Sequence, residues 1–286
     1  MATVDAPRAV GIEIFYWMDR WADDQASYFP RARQAGFDGV EISLVAGTEP
    51  PVERIRDALD ENGLGVVCST GLSPGLDVSS PDPAIRRAGI DHLVRSLETA
   101  AALGSPVLGG VTYAPWFHFP AEADLQGYRE RSAASLVEAA RVADSLGVDL
   151  CVEVLNRFES FMFNTAAEAL GFLELVDHPS VMVELDTFHM NIEEDDLASA
   201  IRSVGDRLGH FQCAAPNRRP PQYGAMDWAG IRSALDDIDY RAWVVFETFP
   251  NPLVETGRST HAWRPLVEDP DAEAGAAAEF LKKHLA

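Results

Sequence analysis

The chain has 286 residues, 47% of them hydrophobic, and its 23 basic residues against 45 acidic residues give a formal net charge of −22. A surface this negative repels nucleic acid and anionic lipid, so neither is expected as a partner. The length suits one α/β domain of the barrel type, which commonly spans ~250 residues. No linker-like or low-complexity segment divides residues 1–286, so the sequence predicts a single domain.

The cysteines and the first residues of the chain bear on its cellular location. Cys68, Cys151 and Cys213 are odd in number and show no C-x-x-C spacing, which favours a reducing compartment without disulfides. The opening MATVDAPRAV has no basic region followed by an apolar core, so no signal peptide is predicted. The uncharged stretch 99–121 contains prolines and glycines that do not suit a membrane helix. We expect a cytoplasmic protein.

Short apolar runs rich in Val, Ile, Leu and Phe recur along the chain, as is typical of parallel strands covered on both faces. The predicted strands are Val10–Phe15, Gly39–Leu44, Gly65–Ser69, Pro106–Val111, Asp149–Leu155, Val181–Asp186, Leu208–Cys213 and Trp243–Thr248. Amphipathic segments with helical spacing lie between them. These predicted helices are Val52–Asn62, Pro83–Leu103, Tyr128–Leu146, Ala166–Leu175, Leu197–Leu208, Trp228–Ile238 and Ala272–His284.

Eight strands alternating with helices predict a single (β/α)8 TIM barrel. Glycines that follow helical segments, at Gly36, Gly63, Gly104 and Gly147, indicate helix ends. A doubly wound sheet is the alternative, and it usually has a glycine-rich phosphate loop after its first strand. The first strand here continues as GIEIFYWMDRW, which contains no such loop.

Four polar residues stand near the carboxyl ends of the last four predicted strands: Glu153, Asp186, Gln212 and Glu247. In a barrel these strand ends converge on one face. Three carboxylates and an amide oxygen gathered there would bind a divalent cation. An acid inside an apolar strand is costly unless it is paired, which strengthens the interpretation, and three such acids at equivalent strand ends point to an enzyme.

Other polar residues and aromatic rings occupy the loops next to these strand ends. Glu159, His189 and Arg218 follow strands five, six and seven, and His189 and Arg218 are candidates for substrate contact. His210 shares the strand face of Gln212 but lies deeper, so it is interpreted as a buried structural histidine. Aromatic residues that could form the apolar wall of a sugar site are Phe15, Tyr16, Trp17, Trp116, Phe117 and Phe249.

Several segments of the chain resemble the ketose 3-epimerases, which belong to the xylose-isomerase-like TIM barrels. The resemblance is most specific in GLSPGLDVSSPDPAIRRAG, EVLNRFESFMFNTAAEAL, LDTFHMNIEEDDLASAIR, LGHFQ with NRRPP, and VVFETF with AWRPL. It implies a site for Mn²⁺, with Mg²⁺ or Co²⁺ as alternatives, in which Glu153, Asp186 and Glu247 are ligands. It also implies that Glu159, His189 and Arg218 bind the substrate.

One ligand position departs from the family pattern His-Phe/Leu-His-x-Gly-Glu. This chain has His210-Phe211-Gln212-Cys213-Ala214-Ala215, so the metal-binding histidine is replaced by Gln212. A neutral oxygen in place of imidazole makes the site harder and favours Mn²⁺ or Mg²⁺ over Zn²⁺. Hydroxypyruvate-isomerase-like relatives have Gln at this position, and C-glycoside deglycosidase catalytic subunits use the same type of barrel. The substrate therefore stays open at this point.

All of these reactions begin with proton removal beside a carbonyl. A metal ion would stabilise the resulting enediolate, and Glu153 and Glu247 are the predicted acid/base pair. A ketose 3-epimerase is the preferred function. The alternatives are a C-glycoside deglycosidase that eliminates from a 3-oxo-sugar, a hydroxypyruvate-isomerase-like enzyme, and a non-catalytic binding subunit. A homo-oligomer is expected, or a complex with a small second subunit if the chain is a deglycosidase.

Overall fold

Eight parallel strands close into a barrel in a computed structural model that describes residues 7–45, 50–121 and 124–286. Each strand pairs with the next along the chain, and the first pairs with the last, so the predicted (β/α)8 barrel is confirmed. The strands are Val10–Glu13 (β1), Gly39–Ser43 (β2), Gly65–Leu72 (β3), Val107–Pro115 (β4), Asp149–Glu153 (β5), Val181–Asp186 (β6), Leu208–Cys213 (β7) and Val244–Phe246 (β8).

Helices surround the barrel and cover its outer face. They are Phe29–Ala35 (α1), Val52–Asn62 (α2), Pro83–Leu103 (α3), Leu125–Leu146 (α4), Ala166–Val176 (α5), Thr187–Glu193 (α6), Leu197–Val204 (α7), Trp228–Asp237 (α8), Glu255–Ser259 (α9) and Pro270–His284 (α10). The four glycines expected to end helices all have positive φ, between 61° and 95°, as a left-handed C-cap requires. None of the helices in the described ranges is long and apolar enough to cross a membrane.

The element ends differ from the sequence prediction where an apolar run continues past its strand. The strand β1 ends at Glu13 because residues 14–16 form a 3-10 turn, and β8 ends at Phe246, which places Glu247 in the loop. Strand β4 instead runs on to Pro115. The helices α1, α6 and α9 were not predicted, since each has only five to seven residues.

The lower half of the barrel interior is apolar. A cluster of Val67, Val107, Cys151 and Val245 fills it, with Met182 and Trp243 packed against the cluster. The indole of Trp243 lies against Gly11, Gly39 and Gly65, and a Cβ at Gly39 would stand 2.4 Å from Trp243 Cη2. The glycines therefore make room for the ring that closes this end of the barrel, and polar chemistry is confined to the carboxyl-terminal half.

Candidate active site

A one-residue irregularity in β7 sets which of its side chains face the interior. Val183 pairs with Leu208, but the next pair is Glu184 with His210, so Gly209 is an extra residue. After this bulge Asp186 pairs with Gln212, while Glu153 of β5 pairs with Glu184 of β6. All of these polar side chains are buried. The bulge thus aligns two tiers of polar groups, one above the other, inside the barrel.

A cavity of about 500 Å³ opens at the carboxyl ends of the strands. Most of the residues predicted to form the site line it: Glu153, Gln212, Glu247, Glu159, His189, Arg218, Trp116 and Phe249. Asp186 is fully buried and does not line the cavity, but it contacts Arg218 and lies near His189. The predicted residues therefore come together at one place, as the convergence of strand ends requires.

Arg218 lies between two of the proposed metal ligands. Its Nη1 donates to Asp186 Oδ2 at 3.1 Å and its Nη2 donates to Glu247 Oε2 at 2.6 Å. The guanidinium also stacks between the rings of Phe188 and Phe249, 4.4 and 5.3 Å from their centroids. Arg218 has a positive φ of 62°, an uncommon conformation for a non-glycine residue and one found at functional sites.

His189 connects the metal-ligand candidates to the mouth of the cavity. Its Nε2 lies 3.4 Å from Glu153 Oε1 and 3.7 Å from Asp186 Oδ2, and its Nδ1 lies 2.7 Å from Asn156 Nδ2. Burial lowers the pKa of His189, so the ring is neutral near pH 7. A neutral ring held by an amide can exchange hydrogen bonds with substrate hydroxyls.

Glu159 is held as a carboxylate at the edge of the cavity. It accepts hydrogen bonds from Trp116 Nε1 at 3.0 Å and from Asn156 Nδ2 at 2.9 Å. Burial opposes ionisation, but the charge of Arg218 and the hydrogen bonds from Asn156 and Trp116 outweigh it and lower the pKa of Glu159. Both oxygens are therefore fixed acceptors that face the cavity from the β5 loop.

Glu153 and Glu247, which also line the cavity, have pKa values shifted in the opposite direction. Burial raises the pKa of Glu153, and the charge of Asp186 raises it further. Burial also raises the pKa of Glu247, although Arg218 opposes the shift. A positive charge added beside these carboxyl groups would favour their ionised forms. With a divalent cation bound, the ionised carboxyl groups of Glu153, Asp186 and Glu247 would balance the charges of the ion and the Arg218 guanidinium.

Gln212 places an unpartnered oxygen atom among the proposed metal ligands. Its Nε2 donates to Glu41 Oε1 at 3.1 Å, while its buried Oε1 has no hydrogen-bond partner. A buried amide oxygen without a partner is costly and is suited to a cation. The residues present therefore fit a divalent ion. Donor atoms of Glu153, Asp186 and His189 already lie within 4.8 Å of one another, and Glu41, Glu184 and His210 form a second such group.

Two of the predicted aromatic residues, Tyr16 and Trp17, do not line the cavity. Trp17 lies outside the cavity lining, because the 3-10 turn after β1 directs its ring toward Tyr16 and under the Arg31 guanidinium. Phe15 and Trp21 line the cavity instead. Sequence reasoning missed Trp21 and Asn156, and neither stands in a pattern that would have distinguished it from its neighbours.

Comparisons with known proteins agree with this geometry. The family model described as xylose isomerase-like TIM barrel matches residues 29–284. A D-psicose 3-epimerase of Ruminiclostridium cellulolyticum is 37% identical over 281 residues, 95% of this chain and 96% of the relative. An L-ribulose 3-epimerase of Methylomonas sp. is 37% identical over 254 residues, 88% of each chain. A crystal structure of D-psicose 3-epimerase with D-tagatose from Clostridium cellulolyticum H10 superposes with a TM-score of 0.91 at 36% identity, covering 97% of this chain and 99% of the other.

Proposed function

Because this chain belongs to the ketose 3-epimerases of the xylose isomerase-like TIM-barrel family, we propose that it inverts C3 of a free ketose with one divalent metal ion. The chain is an enzyme of the epimerase class, and its substrate is a sugar. The observation that carries the proposal is the pair Glu153 and Glu247. Both carboxyl groups line the cavity of about 500 Å³ and belong to one charge network with Arg218.

The proposed metal ligands are Glu153, Asp186, Gln212 and Glu247. Their oxygen donors favour Mn²⁺, with Mg²⁺ and Co²⁺ as alternatives. When bound, the ion would supply Lewis-acid stabilisation of negative charge beside the ketone. Arg218 now contacts two of these carboxylates, so we infer that it shifts from them to the substrate oxygens when the site is filled.

Glu153 and Glu247 are the proposed proton-transfer residues, and other residues of the cavity hold the sugar. One of Glu153 and Glu247 takes the C3 proton, and the other gives a proton to the opposite face of the same carbon. This role requires the two carboxyl groups to stand on opposite faces of C3. Glu159, His189 and Arg218 hold the sugar hydroxyls, and Trp116 and Phe249 form an apolar wall against its C–H groups. Fixed positioning of the sugar lowers the entropic part of the barrier.

Proton NMR in deuterated water tests the proposal. Metal-loaded protein should incorporate solvent deuterium at C3 of D-psicose, D-fructose, D-tagatose or L-ribulose, because the returned proton comes from an exchangeable carboxyl group. The same measurement is made with hydroxypyruvate and with 3-oxo-C-glycosides, the candidate substrates of the alternative functions. Failure to exchange any free ketose, together with cleavage of a 3-oxo-C-glycoside, would replace epimerisation with elimination. The cytoplasmic location and the homo-oligomeric state stay predictions.

A further inference from the structure

A second polar cluster lies inside the barrel, one tier below the candidate active site. Donor atoms of Glu41, Glu184 and His210 all lie within 4.8 Å of one another. Glu41 Oε2 is 2.7 Å from His210 Nε2. Glu13 of β1, which pairs with Glu41 of β2, contacts the same cluster. These four side chains are at most 1% exposed, and Glu13 also lines the floor of the active-site cavity.

Several donor and acceptor atoms of this cluster have no partner. Gly110 N–H donates to Glu184 Oε2 at 2.6 Å, but Glu184 Oε1 has no hydrogen bond. His210 Nδ1 and Glu13 Oε1 are also buried without a partner. Unsatisfied buried polar atoms are costly, and the two open carboxylate oxygens, Glu184 Oε1 and Glu13 Oε1, indicate that a cation belongs there.

The surroundings supply little positive charge. Within residues 7–45, 50–121 and 124–286, no lysine or arginine makes a hydrogen bond or ion pair with Glu13, Glu41 or Glu184. The apolar cluster around Val67 and Val245 lies below, so water does not reach the carboxylates from that end. Within the same ranges, His210 is the basic side chain that contacts the cluster, and its ion pair is with Glu41. A divalent cation would satisfy the open oxygens and the charge together.

We propose that Glu41, Glu184 and His210 bind a second divalent cation, distinct from the ion of the active site. Two or three carboxylate oxygens with one imidazole nitrogen suit Mn²⁺ or Co²⁺. Glu184 and Asp186 are two residues apart on β6, which separates the two sites by roughly 6–7 Å. Gln212 lies between the two sites, because its Nε2 contacts Glu41 and its Oε1 is left for the proposed active-site ion. The proposal of this second site, called the inner site, does not depend on the ketose reaction.

Metal stoichiometry tests the proposal. Chelator-treated protein is dialysed against buffered Mn²⁺, and the bound metal per chain is measured by mass spectrometry. We expect two ions in the wild type, one in Glu184→Gln, one in Asp186→Asn and none in the double variant. Glu184→Gln keeps an acceptor for the Gly110 N–H. Glu138→Gln, in an exposed pair with Arg87, is the matched control and should keep two ions.

The outcomes separate this proposal from the proposed function. One ion in the wild type that persists in Glu184→Gln and disappears in Asp186→Asn overturns the inner site. One ion that disappears only in Glu184→Gln supports the inner site and counts against the outer one. If Glu184→Gln does not fold, electron paramagnetic resonance of the wild type decides. Two equivalents of Mn²⁺ should give a spin-coupled spectrum, and a spectrum of isolated ions alone overturns the proposal.

Discussion

Gln212 and Glu41 are joined by a 3.1 Å hydrogen bond across the barrel, from the amide Nε2 to the carboxylate Oε1. This bond fixes the orientation of the amide and leaves Gln212 Oε1, which has no partner, as the available donor atom. A residue of the inner cluster therefore positions a proposed ligand of the outer site. The two tiers are coupled through one amide group.

Removing either proposed acid/base should abolish most turnover. In Glu153→Gln or Glu247→Gln an oxygen donor remains but the group can no longer accept a proton. We expect a loss of ~10²–10⁴-fold in kcat. The measurement is deuterium incorporation at C3, with circular dichroism to confirm the fold. Glu138→Gln should keep wild-type turnover, and a Glu153 or Glu247 variant with near-normal kcat would remove that residue from the mechanism.

Exchange of the amide ligand should change metal preference. Gln212→His replaces an oxygen donor by imidazole and loses the bond to Glu41, so affinity for Co²⁺ or Zn²⁺ relative to Mn²⁺ should rise by about tenfold. Competitive titration of chelator-treated protein measures the ratio. Gln212→Asn keeps an amide on a shorter stem and serves as the control, with weaker binding of every ion. An unchanged ratio in Gln212→His would show that residue 212 is not a ligand.

Metal addition should stabilise the folded chain. An ion that binds only the native state adds roughly 2.7 kcal/mol when its free concentration is one hundred times its Kd. Differential scanning calorimetry of chelator-treated protein with and without Mn²⁺ should therefore show a rise in Tm. The rise should be smaller in Asp186→Asn, since that variant lacks a fully buried ligand. An identical rise in the variant would place the stabilising ion elsewhere.

Two neighbouring tryptophans should respond differently to substitution. Trp21 lines the cavity and contacts Phe249, so Trp21→Ala should raise KM several-fold. Trp17 packs in the core against Tyr16, so Trp17→Phe should lower Tm and leave KM unchanged. Steady-state kinetics and thermal unfolding of both variants give the comparison. A raised KM in Trp17→Phe with a normal Trp21→Ala would reverse the assignment.

The thiols should be unreactive in the native protein. Burial raises the pKa of Cys68 to about 12 and raises the pKa of Cys151 and Cys213 well above the ordinary value. Because the thiolate is the reactive form, all three remain protonated and inaccessible at pH 8. Ellman's reagent should detect less than one thiol per native chain and three per chain in denaturant. Rapid reaction of a native thiol would contradict the buried placement.

The sequence predicted the barrel because its signals are local and repeated. Helices such as α2 and α3 begin and end where their caps and apolar spacing indicate. Trp17, predicted at the site, lies outside the cavity lining because the direction of its side chain depends on a 3-10 turn that the sequence pattern does not reveal. Glu13 and Glu41 carry the same signal as Glu153, an acid within an apolar strand, in VGIEIF and GVEIS. Their meeting with His210 follows from barrel closure and the bulge at Gly209, which only the structure supplies.

Among the described residues, the ring of Trp243 beneath Gly11, Gly39 and Gly65 fills the amino-terminal end of the barrel interior, and the cavity of about 500 Å³ opens at the carboxyl ends of the strands. An ion in the inner tier would therefore enter and leave through this cavity, which Glu13 and Gln212 both line. An ion in the outer tier would narrow this route for the ion below. Exchange of a radioactive inner ion should then be slower when the outer tier is filled, so a tightly held ion can reflect a blocked exit rather than strong coordination.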